Sequence, residues 1–191
     1  MKAADVNRLL RSKRLVLGLR ALAGAGVVAL AVVLVWHLTH RKAVPKAVST
    51  QKVVPAPNFD LPSLEGAGTV RLAALRGKVV VVNFWQSSCL PCKQEMPRLE
   101  AAARRYAKNT VFVGVDLVDS KGAARAFAKR YGATYPLVFD GNGVTVAPWG
   151  VAQGTPQTFF VDRLGRLVPP HVLGPASAKA LADGIARALR T

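Results

Sequence analysis

Cysteine is almost missing from this chain: Cys89 and Cys92, three positions apart, are the only two in 191 residues. A tetrahedral zinc centre needs four ligands, and beyond residue 54 the chain adds only His171 to the two thiols, which excludes one. Acidic residues are scarce as well, 10 against 27 Lys+Arg, for a formal net charge of +17. Such a balance raises the question of nucleic acid. The chain has no arginine-rich tract, no recognition-helix signature and no row of aromatics beside its cations. Nucleic-acid binding is therefore set aside and the charge is read as a solvated basic surface. No internal repeat occurs, which excludes a repeat architecture. Hydrophobic residues make up 51% of the chain, enough to bury a core, and its length suits one domain with an appendage.

Charge is also absent from one long run. ALAGAGVVALAVVLVW, Ala21 to Trp36, carries none. At 1.5 Å per residue that run reaches ~24 Å, short of a ~30 Å hydrocarbon layer. Leu15 to Leu19 closes the gap, because Arg20 near the helix end can snorkel to the headgroups, and Trp36 suits the far interface. Lys2, Arg8, Arg11, Lys13, Arg14 and Arg20 precede the core, whereas Arg41, Lys42, Lys46 and Lys52 follow it. The more positive end stays inside. These features predict a cytoplasmic segment 1–14, a membrane anchor 15–38, a proline-containing linker 39–54 and a domain 55–191 outside the cytoplasm, at the bacterial inner membrane. No small-x-small cleavage site follows Trp36, where His37, His40, Arg41 and Lys42 stand, so the anchor is expected to be retained. His37 and His40 are read as polar residues ending the helix. Gly24-Ala25-Gly26 follows no strand, which excludes a dinucleotide loop.

Within the domain, Asn58–Leu61 and Thr69–Leu72 flank the turn EGAG and suggest a hairpin. KVVVVNFW, from Lys78, is a β-branched run that predicts a strand buried on both faces. Leu90–Lys108 has helical composition, with Pro97 expected to kink or break it. Asn109–Leu117 predicts a second buried strand, Lys121–Tyr131 a helix, and Pro136–Phe139 a strand entering the turn DGNG. Gln157–Val161 predicts a strand, followed by a turn and a last strand near Leu167. Ala176–Leu189 closes with an amphipathic helix. The alternation predicts an α/β fold with a mixed central sheet.

A bridge between Cys89 and Cys92 closes so short a loop that loop entropy gives it little structural value. Redox chemistry is the better use. Cys89 follows a buried strand and opens a helix, where unpaired N–H groups and the helix dipole stabilise a thiolate. Cys92, one turn on, is placed to resolve a mixed disulfide formed at Cys89.

The chain further carries NFW-x3-C-x-P-C at Asn83–Cys92, Pro97 five residues beyond the second thiol, GTPQTFFVD at Gly154–Asp162, PNFDLPSLEG at Pro57–Gly66, and an insert from Gly122 to Asp140. On these motifs it resembles the thioredoxin superfamily, and within it the membrane-anchored TlpA/ResA/CcmG (DsbE)-like thiol-disulfide oxidoreductases, over about Pro55 to Leu189. The resemblance implies a thioredoxin fold with an N-terminal hairpin and a helix-strand insert, and no bound cofactor. It implies Cys89 as nucleophile and Cys92 as resolving thiol. Pro156 would be a cis-proline facing the disulfide. Trp85, Leu90, Pro91, Thr155 and Pro156 would form the substrate groove. Glu95 would stand where relatives keep an acid that shuttles the resolving thiol's proton, against a plain alternative in which it pairs with Arg98 on the helix surface. Asn83 stands where cytoplasmic thioredoxins carry a buried acid.

The implied activity is disulfide exchange with protein thiols, as a reductase in cytochrome c maturation acting on apocytochrome c and recharged by a CcdA/DsbD-like membrane carrier. Some relatives, notably in actinobacteria, oxidise secreted proteins instead. Ser88 departs from the aromatic common before the first thiol, and Leu90-Pro91 from the common dipeptides, so a potential does not carry over. A copper-delivery module would want CxxxC and a distant histidine, and a peroxiredoxin a Pro-x3-Thr-x2-Cys setting. The sequence shows neither.

Overall fold

The computed structural model describes residues 54–191, with Val33, Val35 and Trp36, which are helical and exposed. The remainder of the expected cytoplasmic segment, anchor and linker lies outside the described residues. Among the described residues no helix is long and apolar enough to cross a membrane.

The domain is built around the apolar run that begins at Val79. Strand β3, Val79–Trp85, is buried at every position, because its valines and aromatics feed two cores, one on each face of the sheet. Each fully buried Val or Phe contributes roughly 1.5–3 kcal/mol relative to exposure. On β3's two sides lie β4, Thr110–Leu117, and β6, Gln157–Val161. β5, Leu137–Asp140, and β7, Val172–Leu173, complete the order β5-β4-β3-β6-β7. β3, β4 and β5 run parallel, while β6 and β7 are antiparallel to their neighbours. This is the mixed sheet of a thioredoxin fold. A separate hairpin pairs β1, Asp60–Pro62, with β2, Thr69–Arg71.

Alternation along β3 decides what each core contains. Trp85 turns to the face packed by α1 (Leu90–Tyr106), α2 (Lys121–Tyr131) and α4 (Ala178–Arg190), where it stacks on Phe127 with centroids 4.9 Å apart. Phe84 turns to the opposite face and meets Phe159 and Trp149, the last residue of the short helix α3, Val146–Trp149. Close approach leaves no side chain at Gly184 of α4, where a Cβ would strike the Phe160 ring.

Helix ends follow local chemistry. Ser120 and Ser177 cap α2 and α4 by accepting the N–H of Ala123 and Ala180, and Gly132 ends α2 in the left-handed conformation that glycine adopts without a Cβ clash. Two expectations are corrected. Of the kink or break expected at Pro97, the break is absent: α1 is helical throughout from Leu90 to Tyr106, with Met96 and Leu99 beside the proline buried in the core. The strand expected near Leu167 reduces to an isolated bridge with Val161, and the paired strand is Val172–Leu173, beyond Pro169-Pro170. Proline lacks the N–H that a continuous ladder requires.

Candidate active site

β3 delivers the chain to the edge of the sheet at Trp85, and α1 starts at Leu90. Between them Gln86–Cys89 forms a turn, closed by the Cys89 N–H on the Gln86 carbonyl at 3.2 Å. Cys89 is the residue that caps α1. Its backbone is extended (φ −74°, ψ 110°), and its sulfur accepts the Cys92 N–H at 3.1 Å. A thiolate there is held by a free helix N–H and by the helix dipole. Pro91, in the first turn, occupies a position whose N–H has no partner in the helix.

Cys89 and Cys92 form a disulfide with Cα atoms 5.3 Å apart, a separation at which a bridge opens and closes without moving the backbone. Their exposures differ. Cys89 is half-buried, whereas Cys92 has no exposed surface. Leu90 and Pro91 beside them are exposed, Leu90 by 65%.

Pro156 joins the site through strand pairing. β6 begins at Gln157, opposite Phe84, so Pro156 lies level with Trp85 at the end of β3. The Thr155–Pro156 bond is cis, and a second cis bond, Pro169–Pro170, was not anticipated. The Thr155 hydroxyl donates to Gln86 Oε1 at 3.1 Å and ties this loop to the cysteine turn. Trp85 itself is fully buried against Phe127; it supports the site from below and presents no surface to a groove.

Glu95 is fully buried one turn beyond Cys92. Its Oε1 accepts from Asn83 Nδ2 at 2.7 Å and its Oε2 from the Ala176 N–H at 2.7 Å. The surface pairing with Arg98 is not made; Arg98 Nε donates instead to the Ala176 carbonyl at 3.1 Å. The approach of the segment leading into α4 is what covers the carboxyl. Burial raises its pKa above 4.5, against the opposing pull of the Ala176 and Asn83 donors and the Arg98 charge. Asn83 also donates to Thr158 Oγ1 at 3.1 Å, so one amide joins β3, β6 and the carboxyl. Tyr135, whose hydroxyl donates to Met96 Sδ at 2.9 Å, is kept neutral by burial and by the Glu95 and Glu100 charges. His171 stacks on Phe159, in the core on the sheet face opposite Cys92.

Sequence reasoning missed a group on the other side of the cysteine turn. Asp119 accepts the Ser87 N–H at 2.7 Å, and Asp116, fully buried near the end of β4, lies against it. A signal existed, because VFVGVDL places a charge on a strand whose other residues call for burial on both faces.

Half-buried and buried sulfurs at a helix N-terminus, a cis-proline level with the end of β3 that leads to them and a buried carboxyl one turn on define a thioredoxin-type dithiol oxidoreductase. The chain belongs to the AhpC/TSA family, whose model matches residues 54–168. It is 35% identical over 142 residues to the thioredoxin-like protein YneN of Bacillus subtilis, covering 72% of this chain and 80% of that one. It is 37% identical to the thiol-disulfide oxidoreductase ResA of Geobacillus thermodenitrificans, covering 59% of this chain and 64% of that one. Among solved structures, a DsbF homologue from Corynebacterium diphtheriae superposes with a TM-score of 0.65 at 29% identity, over 71% of this chain and 87% of that one. The protein is a thiol-disulfide oxidoreductase whose CxxC pair is Cys89–Cys92.

Proposed function

We propose that this oxidoreductase is a reductase of protein disulfides outside the cytoplasm, tethered by residues 15–38 with its N-terminus inside. Its substrate is the haem-attachment cysteine pair of apocytochrome c, and a CcdA/DsbD-like membrane thiol carrier returns its electrons. The observation that carries the exchange chemistry is Glu95, a buried carboxyl one turn from the buried Cys92, with N–H donors on both oxygens; the reductive direction is what the resemblance to the ResA-like proteins implies. Those donors favour the carboxylate while burial strengthens it as a base.

In reduction Glu95 acts as the base for Cys92. The Cys89 thiolate attacks one sulfur of the substrate disulfide, which breaks; a Cys89–substrate disulfide forms, and the released thiolate takes a proton from water. Cys92 passes its proton to Glu95 and attacks Cys89 Sγ. The Cys89–Cys92 bond forms, and the second substrate thiolate departs with the proton that Glu95 held. Two electrons have moved from dithiol to substrate. Leu90 and Pro91, exposed beside the sulfurs, and Thr155 and Pro156, tied to the cysteine turn through Gln86, are the residues this reading assigns to the substrate chain.

The likeness to the DsbF homologue favours a second reading, in which a substrate thiolate attacks Cys89 of the disulfide and Cys92 leaves with a proton from Glu95. Equilibration of Cys89/Cys92 with redox buffers separates the two. A potential near about −270 mV, that of thioredoxin, is expected, whereas one near about −120 mV, that of DsbA, makes the protein an oxidant. A reporter fused after Thr191 is expected to be active outside the cytoplasm; activity in the cytosol contradicts the tethered orientation.

A further inference from the structure

Of the buried acids that disulfide exchange leaves unused, Asp116 has no donor among the described residues. Asp116 has no exposed surface and pairs in register with Trp85, the last residue of β3. No N–H or hydroxyl among the described residues donates to either of its oxygens. The next acid along the chain is Asp119, held at the Cys89 turn by the Ser87 N–H, and its charge acts on Asp116. Asp119 is well supplied with donors: Oδ2 accepts the Ser87 N–H and Oδ1 the Ser120 N–H, each at 2.7 Å. Ser87 lies inside the turn that presents Cys89.

We propose that Asp116 and Asp119 form a proton-sharing pair that positions the nucleophile, with Asp119 holding the Cys89 turn through Ser87 and the proton on Asp116 holding Asp119 in place. The inference rests on Cys89 as the attacking sulfur and holds for either direction of exchange.

Two carboxyls bond to each other only when one keeps a proton. The donors decide which. Ser87 and Ser120 hold Asp119 below the usual carboxylate range, while burial, followed by the Asp119 and Asp140 charges, pushes Asp116 up to about 8. Among the described residues neither carboxyl has an ion-pair partner. Asp140 of β5 is occupied by the Val144 and Thr145 N–H groups and the Thr145 hydroxyl. On α2 the Lys121 ammonium lies over the Phe139 ring, and Arg125 Nε donates to the Leu64 carbonyl. The neighbour on β3, Trp85, is uncharged. Loss of the shared proton therefore sets two like charges against each other beneath the cysteine turn.

The test uses the full chain. In the oxidised protein, where neither thiol titrates, infrared difference spectra across pH 8 are expected to show loss of one protonated carboxyl, absent in Asp116→Asn. That reading does not depend on which sulfur attacks. In the reduced protein, Cys89 alkylation by iodoacetamide against pH is expected to show a break near pH 8 that Asp116→Asn removes. Asp119→Ala, which frees the Ser87 N–H, should change the alkylation rate and the equilibrium constant with glutathione by about tenfold, the scale of one lost charged hydrogen bond. Asp119→Asn retains an acceptor and should restore most of that change. A wild-type protein with no carboxyl titrating near 8 overturns the proposal. So does an Asp119→Ala variant that alters thermal stability alone, with rate, pH profile and equilibrium constant unchanged.

Discussion

Replacing Cys89 by serine is expected to reduce disulfide exchange to the uncatalysed level, whereas Cys92→Ser attacks once and remains joined to its substrate. The two sulfurs differ in what surrounds them. Cys89 Sγ is half-buried and receives a helix N–H, so its thiolate is stabilised and within reach of a partner. Cys92 has no exposed surface, so its sulfur reaches Cys89 and nothing outside. A serine hydroxyl neither ionises at working pH nor forms a disulfide, and its loss of function at Cys89 is complete. At Cys92 the first bond still forms, and the step that releases substrate is missing. Insulin reduction measures the first effect and non-reducing gels the second. Full exchange activity in Cys89→Ser contradicts the assignment.

Glu95→Gln is expected to slow resolution of the mixed disulfide by about 10²-fold, the lower end of what a positioned base contributes. In the wild type the rate of this step rises with pH as Glu95 ionises, through a pKa that burial has lifted above 4.5; the glutamine variant lacks that limb. Stopped-flow reaction of the preformed mixed disulfide across pH reads both, and an unchanged profile in Glu95→Gln contradicts the role. The sign for stability is the reverse of that for rate. A carboxyl whose folded pKa is raised ionises more readily in the unfolded chain, so the fold is favoured below the ordinary range and loses that contribution as pH rises through the folded value. Asp116 adds the same sign between 3.8 and about 8. The two buried acids thus cost stability at neutral pH, as groups kept for chemistry commonly do.

Much of this site was legible from local pattern. The valine run of β3 and the helix expected at Lys121–Tyr131 bound their elements without reference to the rest of the chain. The cysteines at a strand-to-helix junction already implied a stabilised thiolate. What was not legible depends on contacts distant in sequence. Glu95 could be read as a surface partner of Arg98, because its burial is decided by Ala176, eighty-one residues on. Pro97 suggested a break, yet packing of Met96 and Leu99 overrides a single missing N–H. Asp116 was passed over inside an apolar strand, although its partner Asp119 lies only three residues away, since only the fold brings Ser87 to them.

One labelling experiment bears most directly on the central assignment. The reduced full chain is treated at neutral pH with a limiting amount of iodoacetamide, and its peptides are mapped. Label on Cys89 with Cys92 untouched is the predicted result; label on Cys92, or equal label on both, contradicts it.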